Sequence, residues 1–188
     1  MNALDTFGFF SSMTLAVVSM TMLTRTIAQA QTPDYSNGEA MTKHYEGFRS
    51  KPYIDSRGVW TIGYGFNMES NRVKHLLPGS LYDYKKYGIT RKQADRVFHI
   101  LYRSAEFYAK EYAGNIFQWL TKAQQNILID MAYNLGEDGL GEFKRMQSWL
   151  HCGNIELVQH EMRHSDWYKQ VGRRARNHVK MVMVKEST

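Results

Sequence analysis

An abrupt change in hydrophobic period limits the fold of this 188-residue chain more than any other feature. Residues 51–64 read as strand, turn and strand, because apolar and β-branched side chains flank the sequence Asp-Ser-Arg-Gly. Asp55 at the first position and Gly58 at the fourth suit a type I turn. Residues 66–89 contain several glycine and proline breaks and are predicted to be irregular. The sequence therefore predicts a β-hairpin in its N-terminal half.

From residue 90 onward the hydrophobic pattern is that of helices. Two capping boxes, Thr90 with Gln93 and Thr121 with Gln124, mark helix starts. Gly136 is predicted to close the second of these helices. We therefore predict an α+β fold with two lobes, a small lobe that contains the β-hairpin and a larger all-helical C-terminal lobe.

Signals near residue 38 mark the start of the predicted folded domain. Ser36 followed by Glu39 forms another capping-box pattern, so a helix should begin near Gly38. Gly47 is predicted to end that helix. Residues 31–37 are mostly polar and include a proline, as is typical of a linker. We predict a linker at 31–37 and a folded domain over residues 38–188.

Residues 1–30 have the properties of a delivery segment. Residues 7–24 carry no charge, and Ala28-Gln29-Ala30 offers the small residues that a signal peptidase needs. Polar and small residues dilute the apolar run, so it would make a poor permanent anchor. We predict an export signal that is cleaved, or a tether that associates transiently with the membrane and is later released. The alternative is a buried helix of the folded domain.

The cysteine count and the charge restrict the classes of protein further. Cys152 is the single cysteine, which excludes an intrachain disulfide and a zinc cluster built on cysteines. The formal net charge is +6 and the isoelectric point is about 9.3. This charge favours a polyanionic partner, either nucleic acid, an acidic membrane or the cell envelope. A solvated basic surface without a partner explains the charge equally well.

Glu46, Asp55 and Thr61 form the pattern most indicative of chemistry. Glycoside hydrolysis needs a protonated acid and a second group that positions water or stabilises the sugar cation. Glu46 lies near Tyr45 and Phe48, so burial should raise its pKa, whereas Asp55 in a polar turn should stay charged. The Thr61 hydroxyl could fix the attacking water. Taken singly, each residue also has an ordinary structural explanation, as a helix-end acid, a turn former and a strand residue.

Together with their neighbours, these residues resemble the catalytic signature of the phage-type lysozymes, also called endolysins. That signature has Glu-Gly, then Tyr-x-Asp nine residues beyond the Glu, then Gly and Thr-Ile-Gly-x-Gly. The matching positions here are Glu46-Gly47, Tyr53-Ile54-Asp55, Gly58 and Thr61-Ile62-Gly63-Tyr64-Gly65. The resemblance covers about residues 38–184 and implies a lysozyme-like catalytic domain.

The resemblance implies a muramidase that hydrolyses the β-1,4 bond between N-acetylmuramic acid and N-acetylglucosamine in bacterial peptidoglycan. Glu46 would be the general acid, while Asp55 and Thr61 would hold the water of an inverting reaction. No cofactor and no metal are implied. The partner would be peptidoglycan rather than nucleic acid, and the protein would act as a monomer. It would be exported to the periplasm or inner membrane of the host, or carried in a phage virion.

Outside the signature, the resemblance assigns further roles. Tyr133 and Asn134 match the segment that lines the far side of the cleft, which implies contacts with glycan or peptide. An aromatic and an Asn beside a helix end are the structural alternative. Trp167 and Arg174 match a C-terminal motif whose members serve mainly structure. Phe66 stands where some members carry a cleft histidine, so no buried His–Asp pair is assumed.

Three other functions remain open. His160-Glu161-x-x-His164 spells a zinc metallopeptidase motif, although a suitably spaced third ligand is missing from the sequence that follows. A lytic transglycosylase also needs a catalytic Glu, but that chemistry has no use for residues that position water. A non-enzymatic basic module that binds the cell wall or nucleic acid would explain the C-terminal arginines and aromatics. It leaves the spacing of the carboxylates unexplained.

Overall fold

A computed structural model describes residues 33–184, apart from the side chain of Glu137. The described residues from Asp34 onward form one compact unit. The predicted delivery segment 1–30 and the first two residues of the predicted linker 31–37 lie outside the described residues. Within 33–184, no helix combines the length and the apolar character that crossing a bilayer requires.

The described chain is mostly helical, with a three-stranded antiparallel sheet near its start. The strands are β1 (Arg49–Ile54), β2 (Trp60–Gly63) and β3 (Phe66–Asn67), in the order β1-β2-β3. The α-helices are α1 (Gly38–Glu46), α2 (Asn71–Leu76), α3 (Leu81–Tyr87), α4 (Arg91–Ala113), α5 (Lys122–Gly141), α6 (Lys144–His151), α7 (Ile155–Arg163), α8 (Asp166–Val171) and α9 (Arg173–Met181). A 3₁₀ helix, Gly114–Trp119, joins α4 to α5. The predicted α+β fold, with a small β-containing lobe and a larger helical lobe, is confirmed.

Helix α1 begins where the sequence predicted, but a different residue caps it. The backbone N–H of Ala40 donates to the side chain of Asn37 at 3.0 Å, so Asn37 is the N-cap. The Ser36 hydroxyl donates instead to the Asp34 carboxylate at 2.7 Å. The capping box predicted from Ser36 and Glu39 is therefore wrong, because the cap lies one residue later in the chain.

The predicted hairpin is confirmed. Strands β1 and β2 are antiparallel, with Tyr53 opposite Thr61. The backbone N–H of Gly58 donates to the Asp55 carbonyl at 3.0 Å, which closes the four-residue turn. Gly58 has a φ of +81°, a conformation that favours glycine. Strand β3 then extends the sheet along β2.

The prediction that residues 66–89 are irregular is wrong. This segment contains β3, α2 and α3. Helix α3 has a complete capping box, in which the Ser80 hydroxyl and the Asp83 carboxylate each bond to the other's backbone N–H. Helices of six and seven residues span about two turns, so they are too short to display a readable hydrophobic period.

The capping boxes predicted at Thr90 and Thr121 are both confirmed. They start α4 and α5, the two long helices of the larger lobe. Gly136 ends the first helical segment of α5 as predicted, and α5 consists of two helical segments that meet there in a kink. The φ of 76° and ψ of 176° at Gly136 break the helical backbone, and helical hydrogen bonding then resumes as far as Gly141.

A cluster of aromatic rings around Phe98 of α4 connects the sheet to the long helices. The Phe98 ring lies 5.5 Å from Tyr64 beside the sheet, 5.6 Å from Tyr102 and 5.1 Å from Tyr133 of α5, measured between centroids. Helix α9 packs against α5, α7 and α8, with Arg174 and His178 among its buried residues. The core thus brings α1, the sheet, α5 and α9 together.

Candidate active site

Glu46 is the last residue of α1 and lies at the edge of the core. Gly47, with a φ of +67°, ends the helix as predicted and turns the chain toward β1. The Glu46 side chain is 16% exposed, and its Oε1 accepts a hydrogen bond from Arg174 Nη1 at 2.7 Å. Gly65 covers Oε2 so closely that a Cβ at this position would lie 2.9 Å from it. The carboxyl group is therefore enclosed on both sides.

The pKa of Glu46 is raised above its ordinary value. Burial is the largest cause, because it penalises the charged form. The positive charge and the hydrogen bond of Arg174 lower the pKa, while the negative charge of Asp130 raises it. A carboxyl group with a raised pKa retains its proton at higher pH, which suits a general acid.

Asp55 lies at the hairpin turn in an environment of the opposite kind. Its Oδ1 accepts hydrogen bonds from the backbone N–H groups of Val59 and Arg57, each at 2.9 Å. Its Oδ2 lies 3.2 Å from Arg57 Nη2. The Val59 hydrogen bond is the largest cause of a lowered pKa at Asp55, and both contacts from Arg57 add to it. The pKa of Asp55 is therefore shifted in the opposite direction to that of Glu46, which favours the ionised form of Asp55.

Thr61 is buried on β2, and its hydroxyl donates to the Val59 carbonyl at 3.1 Å. It is paired across the ladder with Tyr53 of β1. Tyr53 in turn precedes Asp55 by two residues and has a raised pKa, caused first by burial and then by the negative charges of both Glu46 and Asp55. Tyr53 is therefore a common neighbour of the three residues singled out from the sequence.

The two residues predicted to contact substrate, Tyr133 and Asn134, lie in different environments. Tyr133 packs against Phe98 and donates to the Tyr64 carbonyl at 3.4 Å. Burial raises its pKa well above the ordinary value, and the charge of Glu46 adds to this, so Tyr133 adjoins the candidate acid. Asn134 is exposed, and its Oδ1 accepts a hydrogen bond from Trp167 Nε1 at 3.1 Å. Its observed contact holds Trp167 in place.

The sequence did not reveal Asp130, nor that Arg174 contacts the candidate acid Glu46. The expectation that Arg174 serves mainly structure is incomplete, because its guanidinium bonds to Glu46. It also donates to both oxygens of Asp130, at 2.7 and 2.8 Å. A signal for Asp130 was present: it is the one charged residue in the apolar run Ile127–Ala132. A buried charge requires a partner of opposite charge.

A buried His–Asp pair is also present, although none was assumed. His178 Nε2 lies 2.5 Å from Asp130 Oδ2, and both side chains are fully buried. Phe66, where some lysozymes carry a cleft histidine, is buried at the sheet. The histidine of the pair comes instead from α9.

The zinc-peptidase pattern forms no metal site among the described residues. The rings of His160 and His164 stack with centroids 4.1 Å apart. Glu161 forms an ion pair with Arg145 at 3.0 Å. Residues 33–184 contain no group of three or more His, Cys, Asp or Glu side chains that could hold a metal ion.

The chain is similar to a known protein family and to a known phage protein. The profile of the phage lysozyme family matches residues 43–180. The chain is also similar to the pre-baseplate central spike protein Gp5 of Enterobacteria phage T4, with 27% identity over 165 residues. The match covers 81% of this chain and 28% of that protein, so the chain corresponds to well under a third of its relative's length. Because the family profile spans most of the chain and includes the candidate acid and its partner Arg174, the protein belongs to the phage lysozyme family.

Proposed function

We propose that this protein is a glycoside hydrolase of the bacterial cell wall. It cleaves the β-1,4 bond between N-acetylmuramic acid and N-acetylglucosamine in peptidoglycan. The observation that carries the proposal is the contrast between two carboxyl groups, since Glu46 has a raised pKa and Asp55 a lowered one. Such a pair supplies an acid and an anion at the same pH. Family membership supports the same reaction class.

In the proposed reaction, the Glu46 carboxyl gives its proton to the glycosidic oxygen as the bond to the anomeric carbon breaks. The Asp55 carboxylate accepts a proton from a water molecule, which the Thr61 hydroxyl helps to orient. That water attacks the anomeric carbon from the opposite face of the sugar, so the configuration inverts. The product has a free reducing end. Tyr133 is proposed to contact the substrate beside the acid, and Asn134 at the outer edge of the cleft.

We propose that the site of action is the host cell wall. The net charge of +6 favours association with an anionic envelope. Residues 7–24 would deliver the domain through a transient membrane association. The relative's description as a spike protein makes action from the virion the other candidate. N-terminal sequencing of protein from lysing cells and from purified virions distinguishes the two.

Replacing Glu46 with Gln tests the chemistry. Glu46→Gln should lower the rate of cleavage of purified peptidoglycan by about 10² to 10⁴, because loss of a general acid has this effect. Glu39→Gln is a matched control on the same helix, since Glu39 pairs with His99 rather than with Arg174. Mass spectrometry of the released muropeptides should show reducing N-acetylmuramic acid ends. A 1,6-anhydro end would indicate a transglycosylase, and near wild-type activity of Glu46→Gln would remove this residue from the mechanism.

A further inference from the structure

The Asp130 carboxylate and the Glu46 carboxyl share one guanidinium. Arg174 uses Nε and Nη2 to bond both oxygens of Asp130, which is completely buried. Its Nη1 bonds Glu46. Such a two-point contact fixes the plane of the guanidinium, which a single hydrogen bond does not. The position of Arg174 against Glu46 therefore depends on Asp130.

Asp130 is itself held by residues from two other parts of the chain. The Thr42 hydroxyl of α1 donates to Oδ1 at 2.6 Å, and His178 Nε2 of α9 lies 2.5 Å from Oδ2. The hydroxyl of Tyr35 lies 2.8 Å from the other ring nitrogen of His178. Each oxygen of Asp130 therefore has two partners. These four contacts define the position and orientation of the Asp130 carboxylate.

The charges behind Glu46 also balance. Alone, the Arg174 cation would favour the ionised form of Glu46 and work against a proton donor. The buried anion of Asp130 opposes that effect. The titratable groups that act on or surround Glu46 are Arg174 and His178 from α9, Asp130 and Tyr133 from α5, Tyr53 from β1, and Tyr45 from α1. In this set, Asp130 is the anion that bonds directly to the Arg174 cation.

We propose that Asp130 is a positioning residue for the reaction: its carboxylate holds Arg174 in place and balances its charge, so that Glu46 can act as an acid. This role of Asp130 in catalysis rests on the function proposed above. The charge balance itself is a property of the folded protein and can be measured without substrate.

The decisive variant is Asp130→Asn, which keeps the shape of the side chain and removes the charge. Arg174 would then act on Glu46 without a counter-charge, so the pKa of Glu46 should fall. From the Coulomb energy of a nearby charge in a protein, the fall should be on the order of one pH unit. At a given pH a smaller fraction of Glu46 is then protonated. The alkaline limb of kcat against pH should move to lower pH by the same amount.

The test is an NMR titration of protein labelled with ¹³C at the glutamate carboxyl groups. The Glu46 signal is identified by its absence from Glu46→Gln. Thr42→Val is the matched control, because it removes a hydrogen bond to Asp130 and leaves the charge. We expect a lowered Glu46 midpoint in Asp130→Asn and a midpoint near that of the wild type in Thr42→Val. The kcat and KM of peptidoglycan cleavage against pH are recorded on the same samples.

A folded Asp130→Asn with an unchanged midpoint would overturn the inference, as would an equal shift in Thr42→Val. If circular dichroism shows that Asp130→Asn does not fold, Asp130→Glu decides, since it keeps the charge and displaces the carboxylate. Its expected result is a wild-type midpoint with a reduced kcat at unchanged KM. A lowered midpoint or an unchanged kcat would overturn the proposal. The two proposals can fail separately. If the wild-type protein does not cleave peptidoglycan, but its Glu46 midpoint still depends on Asp130, the proposed function is refuted and the charge balance is supported.

Discussion

Replacing Arg174 with Met should strongly destabilise the protein. Met has a similar length and can fill the channel left by the arginine stem, so the change mainly removes the charge. Arg174 is 7% exposed and Asp130 is not exposed at all, so the anion would remain buried without its cation. Removing one partner of a buried pair costs about 3–5 kcal/mol of unfolding free energy. For a domain of this size, this corresponds to a fall in Tm of roughly 6–20 °C.

The loss of unfolding free energy in Arg174→Met should depend on pH. Burial opposes ionisation of Asp130, but Arg174 and then His178 more than offset it, so its pKa in the folded state is well below the ordinary value. A carboxyl group whose pKa is lower in the folded state than in the unfolded state adds to the free energy of unfolding. For Asp130 this contribution is fully present above the unfolded pKa of about 3.9 and is lost as the pH falls toward the folded pKa. The difference between the wild type and Arg174→Met should therefore narrow by about 1.4 kcal/mol per pH unit below about pH 4.

Urea denaturation followed by circular dichroism, repeated across this acidic range, measures the effect. Arg173→Met is the matched control, because Arg173 is the adjacent arginine and is exposed. Its free energy of unfolding should change by no more than about 0.5 kcal/mol. Equal losses in the two variants would refute the argument that the buried pair stabilises the fold. So would a loss in Arg174→Met that stays constant as the pH is lowered.

Two further predictions concern the glycines near the site and the dependence on metal. Gly65→Ala should lower kcat roughly tenfold to hundredfold by displacing the Glu46 carboxyl, whose Oε2 would lie 2.9 Å from the new Cβ. Gly58→Ala is the control, because Gly58 also has a positive φ and its replacement carries the same cost of about 1–2 kcal/mol. No atom lies within 4 Å of a Cβ at this position, so an equal loss of kcat in Gly58→Ala would contradict the steric explanation. EDTA should leave peptidoglycan cleavage unchanged; a large loss, repeated on replacing His160 or His164 with Ala, would indicate a metal centre there.

The parts of the fold that the sequence predicted are those closed by short-range hydrogen bonds. The Asp55–Gly58 turn spans four residues, and the capping boxes at Thr90 and Thr121 each span four. The donors and acceptors of these hydrogen bonds can be recognised in the sequence because they lie only a few residues apart. Helices α2 and α3 were not predicted because they contain too few residues to show a hydrophobic period. The N-cap of α1 was predicted one position too early because Ser36 and Asn37 are both good capping residues.

The contacts that define the site are long-range and could not be read in this way. Arg174 bonds Asp130 from 44 positions away and Glu46 from 128 positions away. No local pattern encodes such a pairing, since it depends on how α1, α5 and α9 pack. The residues that the motif did supply, Glu46 and Asp55, were predicted with opposite pKa shifts, and the structure has these directions.

The origin of the Arg174 contact on α9 has a consequence for incomplete molecules. Glu46 and the hairpin are encoded early in the chain, and a fragment that stops before α9 still carries the whole signature motif. Such a fragment lacks the Arg174 guanidinium, so it contains Glu46 without this hydrogen-bond partner and Asp130 without this cation. Clipped products should therefore be inert toward cell walls even where they retain every residue of the motif. The motif by itself is thus a poor guide to whether a shortened relative is active.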